Sequence, residues 1–291
     1  MSWHRYGVTA FFGTLSLIIL ISFPALTQEK RINQGTGYVG AETCKGCHPE
    51  LFEAFKKDSP HWRRYEDPKV PPDRKGCEAC HGAGEKHAEQ EGKGFIFSFK
   101  FRNAEERSEA CLKCHQREKA FFEARRGAHK LSAVGCNDCH QIHETPTAPK
   151  LLKAKETDLC LGCHADVKAQ FRLPTRHKVL EGAMTCTDCH TPHGKRTRAS
   201  LRSLRSSGTD VCFKCHPEKR GPWVYEHLGG KVEGCTICHV SHGSANRFLL
   251  IRRDARMLCI ECHGIRHFAQ ISCLKCHSQI HGSQFSSRFF Q

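Results

Sequence analysis

Every cysteine in this chain belongs to a Cys-x-x-Cys-His unit, and there are ten such units. Called motifs 1 to 10 in chain order, they begin at Cys44, Cys77, Cys111, Cys136, Cys160, Cys186, Cys212, Cys235, Cys259 and Cys273. The second thiols are Cys47, Cys80, Cys114, Cys139, Cys163, Cys189, Cys215, Cys238, Cys262 and Cys276. The histidines are His48, His81, His115, His140, His164, His190, His216, His239, His263 and His277. With 21 His in 291 residues, ten chance histidines in that place have a probability on the order of 10⁻¹². Positions i, i+3 and i+4 of a helical turn share one face. Two thiols there can form thioethers with the vinyl groups of one porphyrin while the adjacent imidazole points at its iron. A disulfide scaffold has no need of a His after each pair, and zinc ribbons use Cys-x-x-Cys without a fixed His. The spacing therefore predicts ten covalently attached haem c groups.

Ten haems change what the composition means. Hydrophobic residues make up only 38% of the chain and mean hydropathy is −0.53, too little for an apolar core of ordinary size. Residues 28–291 give each haem only about 26 residues, so the porphyrins must pack on one another and supply the missing interior. The expected fold is a multihaem cytochrome c: mainly short α-helices at the motifs and irregular chain wrapped around a haem array, with little β, elongated as serial repeats are.

Residues 1–27 read as a secretory signal peptide. Arg5 supplies a positive start, Gly7 to Leu26 is almost free of polar residues, and Ala25-Leu26-Thr27 precedes Gln28. The competing reading is an uncleaved anchor, since about 20 apolar residues can cross a bilayer. Either way residues 28–291, the expected decahaem domain, are exported, which suits a cofactor attached outside the cytoplasm. The expected location is the periplasm.

The formal charge of +15 would ordinarily point to nucleic acid or anionic lipid. Ten haems bring twenty propionates, and counting these with the iron centres takes the mature chain to roughly +4 oxidised and roughly −6 reduced. The basic residues balance propionates, and nucleic-acid binding is rejected.

Ten histidines remain outside the motifs and the leader's His4: His61, His87, His129, His143, His177, His193, His227, His242, His267 and His281. Ten irons need ten sixth ligands. An isolated His is usually a surface or satisfied residue, but these are placed regularly. His143, His193 and His242 follow a motif histidine by three residues and His281 follows His277 by four. His129, His177, His227 and His267 precede the next motif by six to nine. His61 and His87 fit the count without that regularity. A His three residues beyond a proximal His cannot reach the opposite face of the same haem, so it is expected to ligate a neighbour. If every iron holds two imidazoles, none has an open position for a substrate, and no catalytic residue is expected. Met184 and Met257 sit outside the pattern, so low-potential bis-His haems are expected.

The chain is also periodic. Cys111, Cys160, Cys212 and Cys259 lie 49, 52 and 47 residues apart, and five two-haem modules in series account for the ten motifs. Three stretches break the pattern. Arg63 to Lys75, with Pro68, Pro71 and Pro72, reads as a linker. Phe95, Phe97, Phe99 and Phe101 alternate with Ile96, Ser98 and Lys100, a period-2 strand signal whose Phe face is expected to pack on haem. Lys195 to Arg205 reads as a solvated basic stretch, with a docking surface as the sharper alternative.

The stretch from Cys212, CFKCHPEKRGPWVYEHLGGKVEGCTICHVSHGS, resembles the MtrA/DmsE/PioA family of decahaem cytochromes, as do MTCTDCHTPHG from Met184 and GYVGAETCKGCHPELFEAF from Gly37. The Glu218-to-Pro222 run and the Glu226-His227 pair are the more specific parts. The resemblance covers about residues 37–281. It implies two fused pentahaem units, bis-His iron throughout, and insertion into an outer-membrane β-barrel porin. The implied partners are that porin, a periplasmic electron-donor cytochrome, and an outer-surface multihaem cytochrome or extracellular reductase. The reading is then a periplasm-to-surface conduit for extracellular electron transfer, associated with the outer membrane. The alternative is a soluble periplasmic electron carrier to a terminal reductase. An enzyme would need an iron with an exchangeable ligand, which the His count opposes, and a purely structural haem filament is the remaining class.

Overall fold

The computed structural model describes residues 37–117, 124–143, 149–194, 211–228, 234–264 and 271–290. The leader, the Lys195–Arg205 basic stretch and His267 lie outside these residues. Within them the chain is short helices, single 3₁₀ turns and irregular segments. The helices are α1 (Ala41–Lys45), α2 (Pro49–Asp58), α3 (Trp62–Glu66), α4 (Glu78–His81), α5 (Glu85–Glu89), α6 (Ala104–His115), α7 (Ala128–Leu131), α8 (Cys136–Cys139), α9 (Glu156–Cys163), α10 (Ala165–Gln170) and α11 (Ala255–Ile260). Two two-residue strands, β1 (Thr175–Arg176) and β2 (Gly243–Ser244), pair antiparallel with Thr175 opposite Ser244. This is the low-β multihaem architecture expected from the motifs. Among the described residues no helix is long and apolar enough to cross a membrane.

The motifs fall into two local classes. Three odd-numbered motifs close a helix and let the proximal His start the next element: His48 is the N-cap of α2, His164 of α10, and His216 of the turn Pro217–Lys219. The longest helix, α6, ends on motif 3 and is nucleated by a capping box: Glu106 N–H donates to Asn103 Oδ1 and Asn103 N–H to Glu106 Oε2. Even-numbered motifs instead occupy isolated turns. Asp138 and Asp188, in motifs 4 and 6, accept the backbone N–H of Gly135 and Thr185 at 2.7 Å and fix those turns.

Packing outside the motifs is sparse. One apolar cluster joins Ala41, Phe52, Phe55 and Trp62, with Tyr65 and Cys77 against it. A second joins Leu161, Phe171 and Val179, with Val167, Met184 and Cys186 around it. Beside the first cluster, Glu78 is 4% exposed and accepts the backbone N–H of Val39, Gly40 and Gly84 at 3.0, 2.8 and 2.7 Å. A buried carboxylate is tolerated because three donors replace its water.

Two expectations are corrected. Phe95–Phe101 forms no strand: Phe99–Phe101 is a 3₁₀ turn, and Phe97 donates its N–H to the His81 carbonyl and accepts the His81 ring Nδ1 instead of pairing with a second strand. Phe99 packs edge-on against the His81 ring, 5.5 Å between centroids. Alternation alone does not make a strand when no partner edge exists. The Arg63–Lys75 segment is not a bare linker either. Its first residues complete α3, where Trp62 and Tyr65 anchor it to the first cluster, and Pro72–Arg74 is a 3₁₀ turn.

Candidate functional site

The motif turn is built the same way along the chain. At nine of the ten motifs the His backbone N–H donates to the first Cys carbonyl at 2.8–3.0 Å, the α-turn that puts both thiols and the imidazole on one side; the exception in that bond set, motif 3, lies inside α6.

Nine motif histidines each face one histidine from outside the motifs among the described residues. Centroid separations are 6.4 Å for His48 with His87, 5.8 Å for His81 with His143, and 6.0 Å for His115 with His61. They are 5.9 Å for His140 with His193, 6.3 Å for His164 with His129, and 5.9 Å for His190 with His242. They are 6.5 Å for His216 with His177, 6.3 Å for His239 with His281, and 6.2 Å for His263 with His227. These gaps are too wide for rings in contact and suit one metal between them. Two metal–nitrogen bonds of about 2 Å, with each centroid roughly 1.1 Å behind its nitrogen, put the centroids about 6.2 Å apart.

The pairing has a rule that counting could not reveal. A His after an even motif faces the proximal His of the even motif before: His143 reaches motif 2, His193 motif 4, His242 motif 6 and His281 motif 8. A His before an even motif faces the following odd motif: His61 reaches motif 3, His129 motif 5, His177 motif 7 and His227 motif 9. Each even-motif segment thus reaches back with one ring and forward with the other. His87 sits outside the rule and faces His48 of the first motif.

Ring tautomers agree with a metal on the inner nitrogen. Nδ1 of His81, His87, His129, His140, His177, His239 and His277 meets a backbone carbonyl. A carbonyl only accepts, so these rings carry their proton on Nδ1 and leave the Nε2 lone pair free. Burial holds His81, His61, His193, His227, His242 and His281 below the usual imidazole range, which keeps that lone pair available.

The thiols show how successive motifs meet. Within four of the five odd–even steps the first cysteines interact. Cys77 hydrogen-bonds Cys44 and holds it down to about 7, and Cys111 holds Cys136 down to about 6. Burial, then the neighbouring Cys186, pushes Cys160 up to about 12; burial, then Cys273, pushes Cys259 up to about 11. At each even–odd step the second cysteines meet. Burial is the main cause of the raised thiols of Cys80, Cys139, Cys189 and Cys238, and Cys114, Cys163, Cys215 and Cys262 add to it in turn. Thioether formation abolishes these titrations but not the proximity. At eight of the nine junctions, consecutive motifs are therefore neighbours in space.

Comparison with known proteins decides the family. A sequence-family profile described as a doubled CXXCH motif matches residues 129–169, 177–221 and 227–265. Each match opens on a non-motif histidine and contains the odd motif whose ring it faces. Multiheme cytochrome MtrA of Shewanella baltica (strain OS185) is 33% identical over 241 residues, covering 81% of this chain and 70% of that protein. The chain belongs to the MtrA family of multihaem c-type cytochromes. As a member, this cytochrome carries covalently bound haem c on its Cys-x-x-Cys-His motifs and transfers electrons through those haems. The thiols hold the porphyrin, and the haem iron supplies the one-electron change of oxidation state. The chain's own residues orient the rings, fix their tautomers and place one centre beside the next.

Sequence reading missed the outer hydrogen bonds of the ring pairs and the buried Glu78. Glu78 hides as a variable position inside motif 2. The carbonyls come from segments 9 to 16 residues beyond a proximal His. An apolar pair in three of them was the available signal: Leu151-Leu152, Leu249-Leu250 and Phe289-Phe290.

Proposed function

We propose that this MtrA-family cytochrome binds ten haems, each between a motif histidine and a non-motif histidine, and passes electrons along them in motif order. The nine ring pairs at 5.8–6.5 Å carry this reading. Two imidazoles on each iron leave no exchangeable position, so the centres hand on electrons and convert no substrate. The proximity of thiols from consecutive motifs at eight of the nine junctions supports close haem–haem spacing along the series. The chain is then a wire with motif 1 at one end and motif 10 at the other.

By its family resemblance, the wire serves as a conduit from periplasm to cell surface, held in an outer-membrane β-barrel. A periplasmic cytochrome would donate at one end, and an outer-surface multihaem cytochrome or reductase would accept at the other. The test has two arms. Intact mass and pyridine haemochrome analysis should give ten haems, and electron paramagnetic resonance should show low-spin iron only. A high-spin centre, or cyanide or nitrite binding to any iron, overturns the closed-ligand reading. Recovery in an outer-membrane complex with a large β-barrel supports the conduit. Recovery as a free monomer from washed periplasm replaces it with the soluble carrier.

A further inference from the structure

The segments that close over three even-numbered motif histidines share one local structure, repeated in distant parts of the chain, and a fourth has a variant of it. His140 Nδ1 donates to the Lys150 carbonyl at 2.9 Å, Gln141 N–H donates to Leu151 at 2.8 Å, and Lys153 N–H donates back to Cys139 at 3.0 Å. One hundred residues on, His239 Nδ1 donates to Phe248 at 2.8 Å, Val240 N–H to Leu249 at 2.7 Å, and Ile251 N–H to Cys238 at 3.0 Å. At the last motif His277 Nδ1 donates to the Arg288 carbonyl and Gln279 N–H to Phe289 at 3.0 Å. His81 of motif 2 has a variant, donating to Phe97 at 2.7 Å while Phe97 N–H donates to the His81 carbonyl at 2.9 Å.

Three of these segments use non-glycine residues in the left-handed region at the same place. Lys150 and Leu151 have φ of 62° and 60°, Phe248 and Leu249 both have 56°, and Phe289 has 58°. Side chains beyond glycine rarely adopt such angles, and adjacent pairs of bulky residues are rarer still. Strain of this kind persists where surrounding structure enforces it. Here it turns a carbonyl onto the outer nitrogen of an axial ring.

We propose that these segments are ligand straps: their backbone carbonyls draw on the Nδ1 proton, increase electron donation from the proximal imidazole, and hold haems 2, 4, 8 and 10 at lower potential than the same centres would have without them. The proposal rests on the bis-His reading above. Hydrogen bonding outside the ligand shell raises imidazole basicity and favours the ferric state. The straps would therefore set the driving force at alternate steps of the wire, through backbone that no ligand count detects.

The test uses the full-length holo-cytochrome with Leu151→Pro and Leu249→Pro as separate variants, each beside its glycine counterpart. Proline cannot take φ near +60° and drives the preceding residue out of the same region, so it turns the carbonyl away; glycine keeps the strap. Potentiometric titration of each proline variant should move one centre to higher potential. Its reduced-to-oxidised ratio at a fixed potential should rise about tenfold, equivalent to about 59 mV for one electron. The glycine variants should titrate as the parent does. Superimposable titrations for proline variant and parent, with ten haems attached and all iron low-spin, overturn the strap while leaving the ligand reading intact. Loss of haem or a high-spin signal in the parent itself overturns the ligand reading instead.

Should a proline variant not accumulate, the parent carries a second measurement. In the ferrous state, nuclear magnetic resonance should find solvent exchange of Nδ1–H at least tenfold slower for His140 and His239 than for His48 and His164. The latter two rings meet no carbonyl among the described residues. Equal exchange rates overturn the proposal.

Discussion

The two ends of this cytochrome are held together by different means. From residue 37 to 117 the interior is ordinary protein: Phe52, Phe55 and Trp62 are 4–9% exposed, and Glu78 is buried on three backbone donors. From residue 211 to 290 no hydrophobic residue among those described is buried. The buried positions there are Gly243, Ser244, Gly282 and Ser283: Gly243 lies on the Gln170 backbone, Ser283 pairs with the Tyr225 backbone, and Gly282 lies against the Trp223 ring. Phe248 and Phe285 are 71% and 88% exposed in the same region. A segment that buries no apolar side chain cannot offset its own chain entropy. The porphyrins must do so, and the later motifs are therefore the skeleton of their region as well as its redox centres.

The largest expected effect breaks the comparison at the weaker end. Cys235→Ala with Cys238→Ala removes the attachment of haem 8. Limited proteolysis should then cut freely between residues 211 and 290 and leave a resistant N-terminal fragment. The matching change at motif 1, Cys44→Ala with Cys47→Ala, should leave residues 49–66 protected, because Phe52, Phe55 and Trp62 still pack. Equal sensitivity of the two ends in the two variants would refute the division.

Trp62→Ala comes next. The ring stands edge-on to Phe52 and Phe55 at 5.4 and 6.0 Å, and its Nε1–H donates to Glu66 at 2.7 Å. Truncating a buried Trp costs about 3–5 kcal/mol. Hydrogen exchange should show that loss across α2 and α3 alone, with residues 234–264 unaffected. Glu78→Ala follows at about 3 kcal/mol, since it strands buried backbone donors at Val39, Gly40 and Gly84. Its signature is local opening of residues 37–41, read by the same exchange experiment. A global loss of protection from either variant would mean that the chain is one cooperative unit.

How much of this was legible beforehand depends on which link of the argument is asked. The fold class and the roster of histidines followed from counting, because covalent attachment needs a fixed local spacing that sequence records directly. The partnership of His143 with His81 was not legible, since 62 residues separate them and no local rule binds them. Only the exclusion was available, that His143 cannot serve its own haem. The Phe95–Phe101 alternation misled because periodicity reports which faces differ and says nothing about a partner edge. The straps stayed hidden because left-handed φ at Lys150 or Leu249 has no residue signature once glycine is not used. Glu78 was invisible for a related reason: its three partners are backbone groups, which carry no side-chain code.

The smallest expected effect is the most local, and it tests how ring pairs are held where porphyrin does most of the work. Gly243 lies in β2, next to His242, which faces His190. A Cβ at this glycine would stand 2.0 Å from the Gln170 carbonyl oxygen, a backbone atom that cannot swing aside. Gln170 also accepts His242 Nδ1 at 3.2 Å through its side chain, while His177 donates from Nδ1 to Ser241 and from its backbone N–H to His242. Gly243→Ala must therefore push β2 away from the end of α10, and the shift reaches His242, which Gln170 also contacts, and His177, which is bonded to Ser241 and His242. Overpacking of this kind costs about 1–3 kcal/mol, well short of unfolding a segment tied by thioethers. The measurable result should be a partial high-spin signal from haems 6 and 7, whose sixth ligands are His242 and His177 on the pairing described. Haem 2, served by His143 outside this contact, should stay low-spin. A high-spin signal spread over every centre would show that the ring pairs are not held locally at all.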